Sequence, residues 1–261
     1  MELFSNLSRD GLEKETETLG RELFQSDIYL AKIKLAYTGS SASGARYIAF
    51  TFDIDGKSFM ETIYITNKEG KHYYLHKTDS SKKIPLPGFL TVDNICLLAS
   101  GKPLANQTAE EKIVKVYDPE QKQEVPKGMP VLVDLLNKEV RLGILKQLVD
   151  KTAKNSSGKY EPTGEHREIN AIDRVFHSQY KLTCHEIMEL KEKCAKDGSD
   201  MKTFLNDPEF INNPSNMYET WLKKFKDQVQ DRTTKKASTQ QAGSISAGFT
   251  DTQSTGDSLF G

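Results

Sequence analysis

The stretch RYIAFTFDIDGKSFMETIY, from Arg46 to Tyr64, constrains the fold more than any other part of the chain. Ile48, Phe50, Phe52 and Ile54 alternate with Tyr47, Ala49 and Thr51, which is the period of a strand with one apolar and one open face. Asp55-Gly56 is a dipeptide that closes a tight antiparallel hairpin, so a second strand follows at once. Its outward side chains should include Met60, Thr62 and Tyr64. Glu61 stands between Phe59 and Ile63 on the face that ought to be apolar, and this leaves the register of the second strand open.

The neighbouring segments extend the pattern. DIYLAKIKLAY places Tyr29, Ala31, Ile33, Leu35 and Tyr37 on one face and Lys32 and Lys34 on the other. KHYYLHK reads as a hairpin leaving the sheet, and TVDNICLLASG as a short helix with Thr91 as N-cap and Gly101 as its stop. A hairpin around Asp118-Pro119 follows. Two further strands, KEVRLGILKQLV and REINAIDRVFH, bracket a long loop, DKTAKNSSGKYEPTGEH. Five principal strands with a helix after the third is the order of an OB-fold barrel, here with inserted hairpins. A sandwich normally needs about seven strands. The predicted fold is therefore mainly β with added helices: an arm over 1–26, a five-stranded OB-fold barrel over 27–180 and a C-terminal helical extension over 181–231. In that extension Thr183 and Glu186 form a capping box. A second helix is expected from Ser215, since Tyr218, Leu222, Phe225 and Val229 share one face.

The chain has 261 residues, 36% apolar and 28% charged, with a formal net charge of -1. That describes a globular protein and gives no whole-chain basic signal, so a polyanion would have to be held by local patches. No apolar run reaches the length of a membrane span and no secretory signal opens the chain, which points to the cytoplasm. Cys96, Cys184 and Cys194 form no closely spaced pair and read as reduced, structural residues. No Walker loop, dinucleotide fingerprint or nucleophile with its base is present, and no cofactor is expected. Asp53, Asp55 and Glu61 have the residue types of a nuclease metal site, but the Asp-Gly turn accounts for two of them. His177 and His185 lie near Cys184 and Cys194 without the short spacing of zinc ligands. The helix carrying Tyr218, Trp221 and Phe225 beside Lys223, Lys224 and Lys226 reads as a packed stripe with a solvated lysine face.

Local chemistry is more informative. OB barrels bind on the outer surface of strands two and three and between the loops joining strands one to two and four to five. The first such loop, TGSSASGAR, ends in Arg46. The second carries Lys151, Lys154, Lys159, Tyr160, His166 and Arg167 against two interior acids, Glu161 and Glu165. Between Asp27 and Lys83 there are nine Lys or Arg and six acids, a local excess suited to phosphates. Tyr47, Tyr64, Tyr73 and Tyr74 interleave with Lys32, Lys34, Lys57 and Lys71 and offer faces on which unpaired bases stack without sequence preference. The expected nucleic-acid contacts are thus Lys32, Lys34, Arg46, Tyr47, Lys57, Tyr64, Lys71, Tyr73, Tyr74, Lys151, Lys154, Lys159, Tyr160 and Arg167.

From Arg232 the composition turns to Ser, Thr, Gln, Gly and Ala, too poor in apolar surface to offset the entropy of ordering, so 232–261 is expected to be a disordered tail. It ends in TGDSLFG. Asp257, Leu259 and Phe260 there read as an acid beside an apolar pair for a partner protein to grip.

The runs NLSRDGLEKETETLG, SDIYLAKIKLAYTGSSASGA, ETIYITNKEG, KKIPLPGFLTVDNICLLASGKPL, KVYDPEQKQEVPK and LGILKQLV resemble the single-stranded-DNA-binding proteins of lytic podoviruses that package a giant virion RNA polymerase. The resemblance covers Leu3 to Arg232 and resumes at the terminal SLFG. It implies a sequence-tolerant, non-enzymatic protein that coats displaced strands in phage DNA replication and recombination in the host cytoplasm. It also implies a tail that recruits replication or transcription proteins. The alternative is a recruiting platform that acts as a transcription co-activator through its C-terminal segment. DGSDMKTFLNDPEFINNPSN has no counterpart in the family pattern, and Gly261 follows the phenylalanine where cellular tails end on it.

Overall fold

The alternating segments become three antiparallel strands, β1 (Asp27–Ser40), β2 (Arg46–Ile54) and β3 (Lys57–Tyr64). Asp55 and Gly56 turn the chain between β2 and β3 with φ of 49° and 80°, the paired left-handed conformations that a two-residue turn of this hand requires. The computed structural model of the chain describes residues 23–118 and 121–234. The expectations for most of the N-terminal arm and for the tail beyond 234, with Asp257, Leu259 and Phe260, fall outside the described residues.

The remaining elements are β4 (Tyr73–Leu75), β5 (Lys83–Pro85), α1 (Pro87–Ser100), β6 (Ala109–Asp118), β7 (Gln123–Leu132), β8 (Glu139–Lys154), β9 (Tyr160–His177), α2 (Cys184–Asp197), α3 (Met201–Leu205), α4 (Pro208–Ile211), α5 (Met217–Phe225) and β10 (Val229–Asp231). The fold is mainly β. One large sheet runs β10-β8-β1-β2-β3, with β9 on the far edge of β8 and the β6–β7 hairpin attached to β1 through β7; β4 and β5 form a small separate ribbon. All pairings are antiparallel except β10 with β8.

The sheet does not close into a barrel. Between β3 and β9 no strand pairing forms, and side chains fill the seam instead. Glu61 of β3 turns inward and accepts a hydrogen bond from the Ile172 N–H of β9 at 3.1 Å. Beside it Asn170 of β9 holds the backbone of Phe24 through two hydrogen bonds of 2.8 and 2.7 Å, while the Phe24 ring meets Phe59 of β3 edge-on at 5.8 Å. The main core lies inside this open curl. Ile33, Phe50, Phe52, Leu142 and Ile144 pack there against Val92, Ile95 and Cys96 of α1.

Local corrections have local causes. A bulge between Ile33 and Leu35 shifts the phase of β1, so that Ala31, Ile33 and Ala36 enter the core. Leu35 and Tyr37, expected on that same face, instead pack with Val114, Met129 and Val131 of the β6–β7 hairpin. Helix α1 starts at Pro87 rather than after Thr91, because proline at the first helical position loses only an N–H that has no helical partner. The Thr91 hydroxyl donates back to the Pro87 carbonyl at 3.1 Å. Gly101 ends the helix in the left-handed conformation, as expected.

The capping box forms with both bonds in place, Glu186 N–H to Thr183 Oγ1 and Thr183 N–H to Glu186 Oε2. Helix α5 starts after Asn216, whose side chain donates back to the Phe210 and Ile211 carbonyls rather than capping the helix, and stops at Phe225. Val229 therefore leaves the expected helix and starts β10, which pairs with Lys146–Leu148, where β8 runs past the start of β1. The segment 197–216 holds α3 and α4. All three cysteines are buried and unpaired. No helix of the described residues is long and apolar enough to cross a membrane.

Candidate nucleic-acid interface

Strand register arranges the outer face of β1–β2–β3 in rows. Gly39, Tyr47 and Tyr64 stand opposite one another, then Tyr37, Ala49 and Thr62, then Leu35, Thr51 and Met60, then Lys32, Asp53 and Ser58. The β6–β7 hairpin covers the β1 end of this face. On β2 and β3, Thr51, Met60, Thr62 and the two tyrosines keep solvent contact. At about 3.3 Å per residue, the nine residues of β2 make a strip about 26 Å long.

One end of the strip is aromatic. Tyr47 and Tyr64 meet edge to face with centroids 5.7 Å apart. The Tyr47 ring lies directly over Gly39, where any Cβ would collide with its phenol end. Burial, and then the neighbouring Tyr64, push the Tyr47 phenol above its ordinary value, so Tyr47 stays a neutral face near pH 7. Gly39→Ala should therefore tip Tyr47 off its seat without disturbing the core; a displaced Tyr47 ring resonance in NMR spectra, with an unchanged melting temperature, is the expected result.

Two loops meet at this end. The turn Ser41–Ala45 is closed by Ser41 N–H to the Ala45 carbonyl at 2.8 Å, and Arg46 binds Thr66 from both sides of its peptide. Asn67 then folds the next loop by accepting from the N–H groups of Glu69 and Lys71. Lys71 pairs with Glu69 at 2.7 Å, and this hydrogen bond raises its pKa. On the small ribbon Lys83 sits 4.8 Å from the Tyr73 ring centroid, and Tyr74 is exposed. The structure thus brings Arg46, Tyr47 and Tyr64 to one end of the strip, next to the 67–71 turn that carries Lys71, while Tyr73 and Tyr74 lie with Lys83 on the separate β4–β5 ribbon. It adds Met60, which periodicity put outward, and part of Tyr37, which only the bulge turns to this face.

The other end of the strip carries Lys32 and Lys34 beside the Asp55-Gly56 turn; Lys57, expected with them, pairs with the buried Ile54 on the inward parity of β3 and lines a hollow with Phe24 and Tyr29 instead. Lys34, the bulged residue, pairs with Asp53 at 3.4 Å. Asp53 faces outward here and Glu61 inward, so these two carboxylates do not converge. Among the described residues no three His, Cys, Asp or Glu side chains cluster as metal ligands.

The second expected loop is not a loop. β8 and β9 stay paired as far as Lys154 and Tyr160, leaving only the turn 155–159, which Asn155 holds with its side-chain oxygen. The result is a projecting two-stranded arm. Lys154 lies 5.3 Å from the Tyr160 ring centroid, and Lys151 pairs with Glu165 at 2.9 Å. Its base is tied by Asp150, whose carboxylate takes the Thr234 hydroxyl and N–H together with His166, and these contacts hold its pKa down. Because Asp27 pairs with Ile144, the arm leaves the N-terminal end of β1, while Ser41–Ala45 leaves the other end. Lys151, Lys154, Lys159, Tyr160 and Arg167 therefore form a group apart from the aromatic end.

Chemically, the strip offers flat faces, a thioether and hydroxyls in the middle, with cations at both ends. Lys34, Lys71 and Lys151 already have exposed acidic partners. Such surface pairs are weak, so a phosphate can replace the acid, but each replacement displaces fewer counterions than a bare lysine would. No protein-family model matches the chain, and no curated protein matches it.

Proposed function

We propose that the protein binds single-stranded DNA without strong sequence preference along the outer face of β1–β2–β3, as a coating protein of phage replication and recombination. The observation that carries this reading is the Tyr47–Tyr64 pair, seated on Gly39 and flanked by Arg46 and Lys71 at the end of the sheet face away from Ile28 of β1, where α5 packs. Bases stack on such rings, and backbone phosphates reach the cations at either end. The strand order β1-β2-β3, helix α1, then β8-β9 supports an OB arrangement, left open between β3 and β9 and interrupted by the β4–β5 and β6–β7 hairpins. OB folds are commonly only partly closed. The resemblance to podoviral single-stranded-DNA-binding proteins points the same way. In this reading the C-terminal tip, Asp257, Leu259 and Phe260, is held by a replication or transcription protein.

The test is oligonucleotide affinity across a salt series, with and without divalent metal. Binding should be metal-independent, stronger for single strands than for duplex, and log-linear in salt. Tyr64→Ala should weaken it by about 1 to 3 kcal/mol with the salt slope kept, because lost stacking returns no counterions. Lys154→Ala with Lys159→Ala should flatten the slope if the arm contacts the same strand. Binding that ignores Tyr64 would remove the aromatic end from the path. Absence of single-strand binding would leave the recruiting platform as the better account, and metal-dependent strand loss would indicate a nuclease.

A further inference from the structure

Strand β6 is the outermost strand of its hairpin and, among the described residues, hydrogen-bonds as a strand only to β7. It is ten residues long, AEEKIVKVYD, with no proline and no bulge in its register. Long flat edges of this kind invite another strand, and proteins usually shorten, bend or interrupt them. Two of its residues are conspicuously open: Ile113 is 80% and Tyr117 60% exposed.

Hydrogen-bond parity says which residues offer their backbone outward. The Val133 N–H donates to the Thr108 carbonyl, and the β6–β7 register then runs unbroken from Ala109–Leu132 to Asp118–Gln123. Bonded pairs alternate in an antiparallel ladder, so the even-numbered residues of β6 bond to β7. The odd-numbered ones, Glu111, Ile113, Lys115 and Tyr117, present N–H and C=O to the open edge. Their side chains also share one face.

We propose that β6 pairs antiparallel with β6 of a second copy of this chain, about a two-fold axis through Ile113. Only odd-numbered residues can then face each other as bonded pairs, and the charges choose among the allowed registers. Centred on Ile113, the pairing sets Ile113 against Ile113 of the second copy and Glu111 against its Lys115, twice by symmetry, with Tyr117 opposite Ala109. Sliding by one allowed step either way sets Ile113 against Glu111 or against Lys115 and loses both opposite-charge pairs. A two-fold contact has to be self-complementary, and the sequence Glu-x-Ile-x-Lys is so about its central residue. On the opposite side-chain face Lys112 and Glu110 already pair within their own strand at 3.4 Å.

The experiment is sedimentation velocity on the full chain without DNA, over a concentration series. Wild type should show a reversible monomer–dimer equilibrium. Glu111→Lys sets two lysines against each other at each of the symmetric pairs, and Lys115→Glu sets two glutamates together, so each variant alone should dimerise at least about tenfold more weakly. Mixed in equal amounts, the two variants restore one opposite-sign alignment across the contact, lysine of one chain against glutamate of the other at both pairs, and should form heterodimers near wild-type strength. That recovery also shows that neither variant is misfolded. A wild type that stays monomeric throughout, a Lys115→Glu variant that dimerises normally, or a mixture that fails to associate would each overturn the proposal.

Discussion

Trp221→Ala is expected to destabilise the protein by about 3 to 5 kcal/mol, the range for truncating a large buried aromatic. Trp221 is the chain's single tryptophan and is 2% exposed. Its indole lies on Gly143 of β8, where a Cβ would come within 3.0 Å of the ring, and its Nε1–H donates to Asp173 at 2.7 Å. Asp173 is the extra residue of the β9 bulge opposite Gly143–Ile144. Removing the indole thus empties the cluster of Ile28, Leu145, Phe176 and Tyr218 and leaves a carboxylate without its donor. Urea unfolding followed by circular dichroism measures the loss. Trp221→Phe, which keeps an aromatic ring but not the N–H, should lose less. A loss below about 1 kcal/mol for Trp221→Ala would mean that α5 is not anchored through this residue.

Glu61→Gln is expected to stabilise the protein above neutral pH and to do nothing in acid. Withdrawal from water raises the Glu61 carboxyl from 4.5 to about 7, and the hydrogen bond from Ile172 N–H only partly opposes this. Between those values the folded chain keeps a proton that the unfolded chain has released. Wild-type stability therefore falls as pH rises through this window, by at most about 3 kcal/mol, and stays at the lower level above it. Glutamine imitates the protonated form and still accepts from Ile172. Melting temperatures of the two proteins should coincide near pH 4.5 and diverge by pH 8 in favour of glutamine. Parallel curves across the whole range would mean that Glu61 stays solvated, and so that the seam between β3 and β9 admits water.

The candidate site was partly legible in the sequence. Tyr47, Tyr64 and Met60 were readable as outward because alternation is a property of the backbone, and Arg46 because it borders a turn. That Tyr47 meets Gly39 and Tyr64 in one row was not readable, since register is decided between strands. Nor was the separation of the arm lysines from the aromatic end, which follows from β8 outrunning the start of β1. Lys34, Lys71 and Lys151 read as available cations, and their acidic partners emerge only once Asp53, Glu69 and Glu165 are placed in space.

Sequence alone determined the elements whose signals are local: the Asp55-Gly56 hairpin, the Thr183–Glu186 capping box and the Gly101 stop each depend on residues a few positions apart. Tertiary structure decided whatever required a choice between competing partners. Pro162, Thr163 and Gly164 in EPTGEH look like loop material, yet long-range pairing of β8 with β9 carries the strands on to Lys154 and Tyr160 and leaves only 155–159 as a turn. Val229 fits the apolar stripe of a helix, but the edge of β8 left vacant past Asp27 offers backbone hydrogen bonds that one more helical turn would forgo. Glu61 lies on the inner face because Phe59 and Ile63 must be buried and a strand cannot bury them without the residue between. The unpaired seam, with Ile172 N–H at hand, is what makes that charge tolerable.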